Sequence, residues 1–267
     1  MIIARIVPPT SSVYKTLSTL SEKLDGIMKW KPLFWFGFWT LFVAGMGAYS
    51  GYHDRFIFWD FSRWFIGIIA LIVITSLSVI FLIKNGLLMY GPLKDENKKS
   101  KIIIHCLLGF VVFMIGWGGN LKIGVLHSIP YILTYLAIVF IYKIPISEQA
   151  DTGQKLILSH NDRWKYSLIS LILLIISTVI GFILDDPVIS TASVVVIPFT
   201  IVSFLMKHGR HVYRARVFSI LIVALFIVAR QSWFLIPLLL LFYFLRFYHY
   251  FRYGIIFPTF AVDKKQQ

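Results

Sequence analysis

The chain has 267 residues, 58% of them hydrophobic and 14% charged, with a mean hydropathy of +0.79 and a formal net charge of +14. Too little polar surface is left to cover a soluble globule, and apolar blocks of roughly twenty residues fit membrane-crossing helices better than the alternating ten-residue strands of an outer-membrane barrel. The single cysteine, Cys106, excludes an intrachain disulfide, a cysteine-based zinc site and an iron–sulfur cluster.

From the amino terminus, Pro8, Pro9 and a run of hydroxyl residues interrupt the apolar residues that a cleaved signal peptide would need. Val13, Leu17, Leu20, Leu24 and Ile27 then recur three or four apart, with Lys15, Lys23 and Lys29 at other positions. That spacing predicts an amphipathic helix lying in the membrane interface within residues 1–32. A single all-α transmembrane bundle is expected over 33–260, followed by a polar tail at 261–267. Within the bundle, apolar blocks bounded by charge, Gly and Pro predict eight spans, at 33–50, 64–83, 102–119, 125–142, 166–184, 188–206, 217–229 and 232–248. Gly37, Gly45, Gly47 and Gly51 in the first of them suit close helix packing.

Lys and Arg alternate along this pattern. Twenty-two of the twenty-six fall in the amino-terminal segment, every second loop and the carboxyl-terminal segment. The positive-inside rule then puts both termini on the cytoplasmic side of the cytoplasmic (inner) membrane. Topology and attraction to anionic membrane lipid account for the net charge, so nucleic-acid binding is not invoked. Ionisable residues are scarce inside the spans, against the expectation for an ion pump. Asp185 and Asp186 in "GFILDDP" read as a solvated outer turn before Pro187.

Polar residues gather instead at the cytoplasmic ends. "KNGLLMYGPLKDENKKSK" (84–101) holds Asn85, Asp95 and Asn97. "MKHGRHVYRAR" (206–216) holds Lys207, Arg210, His211 and Arg214, and "SHNDRWKY" (159–166) holds Arg163. As loops converging over the mouth of a bundle, these would grip an anionic group through charge-assisted hydrogen bonds, with Arg especially suited to phosphate. The aromatic and basic stretch "FYFLRFYHYFRYGIIFPTF" (242–260) reads as an interfacial anchor or a wall beside that mouth.

Placed at the cytoplasmic end of the second span, "FLIKNGLLMYGPLKDENKKSK" resembles the Asn-Asp-x-x-Asp-x-x-x-Asp motif of the UbiA-type membrane prenyltransferases, through Asn85 and the Asp95–Asn97 tail. "IYKIPI" (141–146) is similar to that family's Tyr-Ser-x-Pro-Pro segment through Tyr142 and Pro145. The resemblance implies a helical bundle that transfers a polyprenyl group from its diphosphate to a lipid or aromatic acceptor, with Mg²⁺ as cofactor and Asp95 as a metal ligand. The chain departs from the family where Gly86, Met89 and Leu93 take the aspartate positions and "KHGRHVYRAR" replaces the second Asp-rich motif. Three functions stay open at this point: prenyl transfer, a noncatalytic lipid- or quinone-binding bundle, and a subunit beside a membrane-protein partner.

Overall fold

The computed structural model describes residues 2–29, 32–84, 98–148, 155–157 and 159–254. Three short amino-terminal helices, α1 (Ile2–Ile6), α2 (Ser12–Lys23) and α3 (Asp25–Lys29), precede eight longer ones among the described residues. These are α4 (Pro32–His53), α5 (Trp64–Lys84), α6 (Lys98–Trp117), α7 (Leu121–Lys143), α8 (His160–Ile183), α9 (Pro187–Leu205), α10 (Gly209–Val228) and α11 (Leu235–Tyr253). A 3-10 turn at Ser232–Phe234 leads into α11, and strands β1 (Ile146–Glu148) and β2 (Lys155–Ile157) pair antiparallel between α7 and α8. Among the described residues, five helical segments are long and apolar enough to cross a membrane: Leu121–Lys143, His160–Ile183, Pro187–Leu205, Gly209–Val228 and Ser232–Tyr253.

Local chemistry sets the helix ends. The Asn120 side chain accepts the Lys122 N–H at 2.9 Å to open α7, and Gly118, at φ 63°, supplies the left-handed residue that separates α6 from α7. The Ser159 hydroxyl accepts from Asp162 N at 3.2 Å at the head of α8. The Asp186 carboxylate caps α9 through Val188 N at 3.2 Å, with Pro187 in the first turn where its missing N–H is no loss.

Helices α4, α6, α7, α8, α9 and α10 form the body, with α7 packed against α4, α6, α8, α9 and α10. Where α4 meets α6 the backbones touch. A Cβ on Gly45 would lie 2.1 Å from the Phe113 carbonyl oxygen, and one on Gly116 would lie 1.9 Å from that of Phe42. Where α7, α8 and α9 meet, three hydroxyls join: Thr134 lies 2.8 Å from Ser177 and 2.9 Å from Ser193, and Ser177 donates to the Pro130 carbonyl at 2.7 Å. Small polar side chains let these helices approach and satisfy one another in an otherwise apolar core. Helix α5 lies outside this body against α4, with Gly67 under the Trp233 ring and Ile66, Ile72 and Leu77 exposed.

The amino-terminal segment docks onto the end of α11. The Tyr14 hydroxyl donates to Tyr250 O at 3.1 Å, the Tyr250 hydroxyl donates to Val7 O at 2.7 Å, and Asp25 receives the Tyr248 hydroxyl at 2.7 Å and Arg252 Nε at 3.3 Å. The aromatic stretch of α11 is thus spent largely on holding residues 7–25, with Tyr248, Tyr250 and Phe251 buried. On α2 itself, Val13 and Leu20 of the apolar stripe remain exposed.

Candidate functional site

The basic segment after α9 is helix rather than loop. The expected span at 217–229 begins eight residues earlier, at Gly209, because Arg and Ala are good helix formers and His208 caps the turn by accepting the Arg210 N–H on Nδ1 at 3.1 Å. Reading charge as the end of a span placed that boundary too late. Val212 and Ala215 turn inward against Ile141 and Ile144, which leaves Arg210, His211 and Arg214 half-buried on the rim and Lys207 exposed in the preceding turn. Arg210 Nε approaches His211 Nε2 at 3.4 Å.

This arrangement is electrostatically inverted. A helix amino terminus carries partial positive charge and is normally matched by acidic residues, yet the first turn of α10 has none. Arg210 and Arg214 stand four apart on one face, a like-charge spacing that destabilises a helix by a few tenths of a kcal/mol.

Arg163 and Arg216, at the same end, have different work. Arg163 is 1% exposed and its Nη1 donates to the carbonyls of Ser203, Phe204 and Met206 at 3.1, 2.5 and 2.8 Å, so it caps the carboxyl end of α9. Arg216 does the same for α7: Nε donates to Ile141 O at 3.3 Å, and Nη2 to Tyr142 O at 3.2 Å and to Ile144 O. Replacing Arg163 with Gln is expected to cost about 2 kcal/mol of stability through the lost charge-assisted bonds, measured by denaturant titration in detergent.

Asn85, Asp95 and Asn97 lie outside the described residues, as does the magnesium expectation that rests on Asp95. Lys207, Arg210, His211, Arg214 and Arg163, the described members of the predicted set, are nitrogen-bearing side chains and bring no oxygen ligand for Mg²⁺.

The opposite end of the bundle holds a network that hydropathy does not reveal. The expected solvated turn at Asp185–Asp186 is half right. Asp185 takes φ 54° and reaches out to Arg55 at 2.8 Å, with the two side chains 62% and 52% exposed. Asp186 turns inward and is 4% exposed. Its Oδ1 pairs with Arg230 Nη1 at 3.0 Å, and its Oδ2 accepts the Tyr131 hydroxyl at 2.7 Å. Burial is possible because each carboxylate oxygen has a donor and the charge has a partner.

Arg230 and Gln231 follow directly from the end of α10. Arg230 Nη1 also approaches Gly47 O at 3.4 Å, Gln231 donates to the Ser50 hydroxyl at 3.3 Å and accepts from Trp233 Nε1 at 3.2 Å. The α4–α5 loop seals this end: Trp59 N donates to Ala229 O at 2.7 Å and Ser232 N to Asp60 O at 3.2 Å. The Ser62 N–H, 2.8 Å from the Asp60 carboxylate, holds that acid below the usual carboxylate range. Arg55, Arg230, His127 and the two aspartates line a cavity of about 210 Å³.

Neither Arg230 nor Gln231 stands out in sequence. The one available signal was a lone Arg–Gln pair, poorly tolerated in an apolar run unless partnered. No protein-family model, no curated protein and no solved structure matches the chain.

Proposed function

We propose that the chain is an eight-span protein of the cytoplasmic membrane, with both termini cytoplasmic and α1–α3 lying at the cytoplasmic interface, and that its cytoplasmic end binds the phosphate part of an amphiphile. The observation that carries this reading is the start of α10, where Lys207, Arg210, His211 and Arg214 gather at a helix amino terminus whose first turn has no acid. Such a terminus favours an anion through its dipole, and Arg adds bidentate recognition of phosphate. The exposed apolar side chains of α5, α8 and α11, among them Ile66, Ile183 and Leu240, would face lipid.

The void between α4, α7 and α10 measures about 20 Å³, room for little more than a single water. The bound amphiphile therefore keeps its tail outside that centre, among lipid chains, which favours a lipid-binding bundle over a bundle built around an isoprenoid. Prenyl transfer in the manner of the UbiA-type enzymes is the second reading. It is favoured by the sequence resemblance that Asn85 carries, the residue after α5 in the chain. In that reading the cations would stabilise the departing diphosphate.

The test uses purified protein in neutral detergent, titrated separately with farnesyl diphosphate and with short-chain phosphatidylglycerol. Saturable binding is expected, weakened about tenfold when Arg210 and Arg214 are both replaced by Gln, the loss of one good charged contact. Incubation with radiolabelled polyprenyl diphosphate, membrane lipid extract and Mg²⁺ separates the readings, since label in a product means transfer, and binding without label means a noncatalytic bundle. Binding indifferent to both arginines would sink the proposal.

A further inference from the structure

A groove of about 590 Å³ lies between α1 and the carboxyl-terminal half of α11, within the ~300–1,000 Å³ of clefts that hold small ligands. Much of its wall is apolar and open to the outside. Ile2 and Ile6 of α1 are 77% and 70% exposed, and Tyr243 and Phe247 of α11 are exposed as well. Tyr243 and Phe247 stand one helical turn apart with ring centroids 5.7 Å from each other, so they form one aromatic strip along the groove.

Bonds outside the groove hold α1 in place beside α11. The Tyr250 hydroxyl donates to Val7 O, and the Val7 N–H donates to Ile3 O at 2.8 Å, so the pinned residue is continuous with the helix. The Tyr14 hydroxyl adds its bond to Tyr250 O from α2. These contacts lie beyond Phe247 along α11, and the groove itself stays open.

Two cations share the groove with these apolar walls, Arg5 from α1 and Arg246 from α11. Neither helix contains an acid, and the first acid of the chain is Glu22. Glu22 and Asp25 serve Arg252 and Tyr248 instead. Arg246 lies over the Phe242 ring, 6.0 Å from its centroid, and neither Arg5 nor Arg246 has an acidic partner among the described residues. Arg246 also sits two turns, about 10 Å, inside the Tyr253 end of an apolar segment. A cation at that depth is costly unless it meets an anion or reaches the headgroup layer.

We propose that the groove between α1 and α11 binds one anionic phospholipid, with its phosphate at Arg5 and Arg246 and an acyl chain along Ile6, Tyr243 and Phe247. A membrane lipid is the occupant because it brings an anion and a hydrocarbon chain together, which matches two unpaired arginines set among exposed apolar side chains. The site rests on the reading of the chain as membrane-spanning and not on the anion reading of α10, no residue of which lines the groove.

Full-length protein carrying Arg210→Gln and Arg214→Gln, which removes the proposed α10 site, is titrated in neutral detergent with dihexanoyl phosphatidylglycerol and, in parallel, with dihexanoyl phosphatidylcholine, by isothermal calorimetry. The expected result is one saturable site for phosphatidylglycerol, with phosphatidylcholine bound at least about tenfold more weakly. Adding Arg5→Gln and Arg246→Gln should weaken phosphatidylglycerol about tenfold, and adding Ile6→Ser should weaken it through the chain. Lys15→Gln with Lys23→Gln removes the same charge from exposed positions on α2 and should change nothing. The wild-type protein reports on α10 separately: binding identical to that of the Arg210, Arg214 variant refutes the α10 reading and leaves the groove site standing. No saturable binding in that variant, equal affinity for the two lipids, indifference to Arg5 and Arg246 or to Ile6, or an equal loss from the lysine substitutions overturns the groove proposal. A dimer in light scattering that Ile6→Ser dissociates overturns it too, because a second copy then covers the groove.

Discussion

Replacing Asp186 with Ala is expected to lower the unfolding free energy by about 3–5 kcal/mol, because it leaves Arg230 as an uncompensated buried charge. The Tyr131 hydroxyl loses its acceptor and α9 loses its cap in the same step. Asp185→Ala, one residue away, should change stability by less than about 1 kcal/mol, since its pair with Arg55 is largely exposed. Unfolding by sodium dodecyl sulfate in mixed micelles measures both. A combined Asp186→Leu, Arg230→Met variant should recover most of the loss, as replacing both members of a buried pair by apolar side chains often does. Equal effects at Asp185 and Asp186 would mean that the inward network is solvated and contributes little.

Gly116→Ala and Gly45→Ala are each expected to lower stability by about 3 kcal/mol or more, at the upper end of overpacking effects. Both added methyls would meet backbone, the Phe42 and Phe113 carbonyl oxygens respectively, and no rotamer change can move those aside. Helices α4 and α6 must separate instead, and everything packed on α4 shifts with them. Gly47→Ala, on the same helix, meets its nearest atom at 3.7 Å, an ordinary contact. It should be neutral, or stabilising by up to about 1 kcal/mol from the better helix propensity of Ala. The contrast between positions 45 and 47 is readable from melting temperature and from the yield of monodisperse protein.

These two outcomes are linked through position. The α4–α6 contact sets where α4 runs, and α4 presents Gly47 O and the bare backbone of Gly51 to Arg230. At the other end, the Arg163 and Arg216 caps seal the carbonyl ends of α9 and α7 beside the start of α10. The protein therefore spends two arginines on helix ends and leaves a separate set, Lys207, Arg210 and Arg214, at the rim.

The long helices themselves were readable from sequence. Backbone polar groups buried among apolar side chains must be satisfied within the segment, so each apolar block becomes helical, with α10 beginning eight residues before its block. Each of the eight expected blocks overlaps one of the described helices α4–α11, and five described helical segments are long and apolar enough to cross a membrane. Gly118 and Asn120 mark the short break between α6 and α7 because their chemistry is local: a left-handed residue and a side-chain cap.

What only the tertiary structure decided is which polar side chains become neighbours. Charge in a basic segment suggests a loop, whereas residues 209–216 are helical, with Arg216 turned to the α7 carbonyls and Arg210 and Arg214 on the rim. Asp185 and Asp186 are adjacent and chemically identical, yet one is exposed and the other buried, because a left-handed turn at Asp185 sends its neighbour toward Arg230, 44 residues further along the chain. Hydropathy sums transfer energies along a segment and carries no term for a partner that arrives from another helix. The length and polarity of the helices are properties of each stretch alone; the Arg230–Asp186–Tyr131 network exists only where α7, α9 and α10 meet.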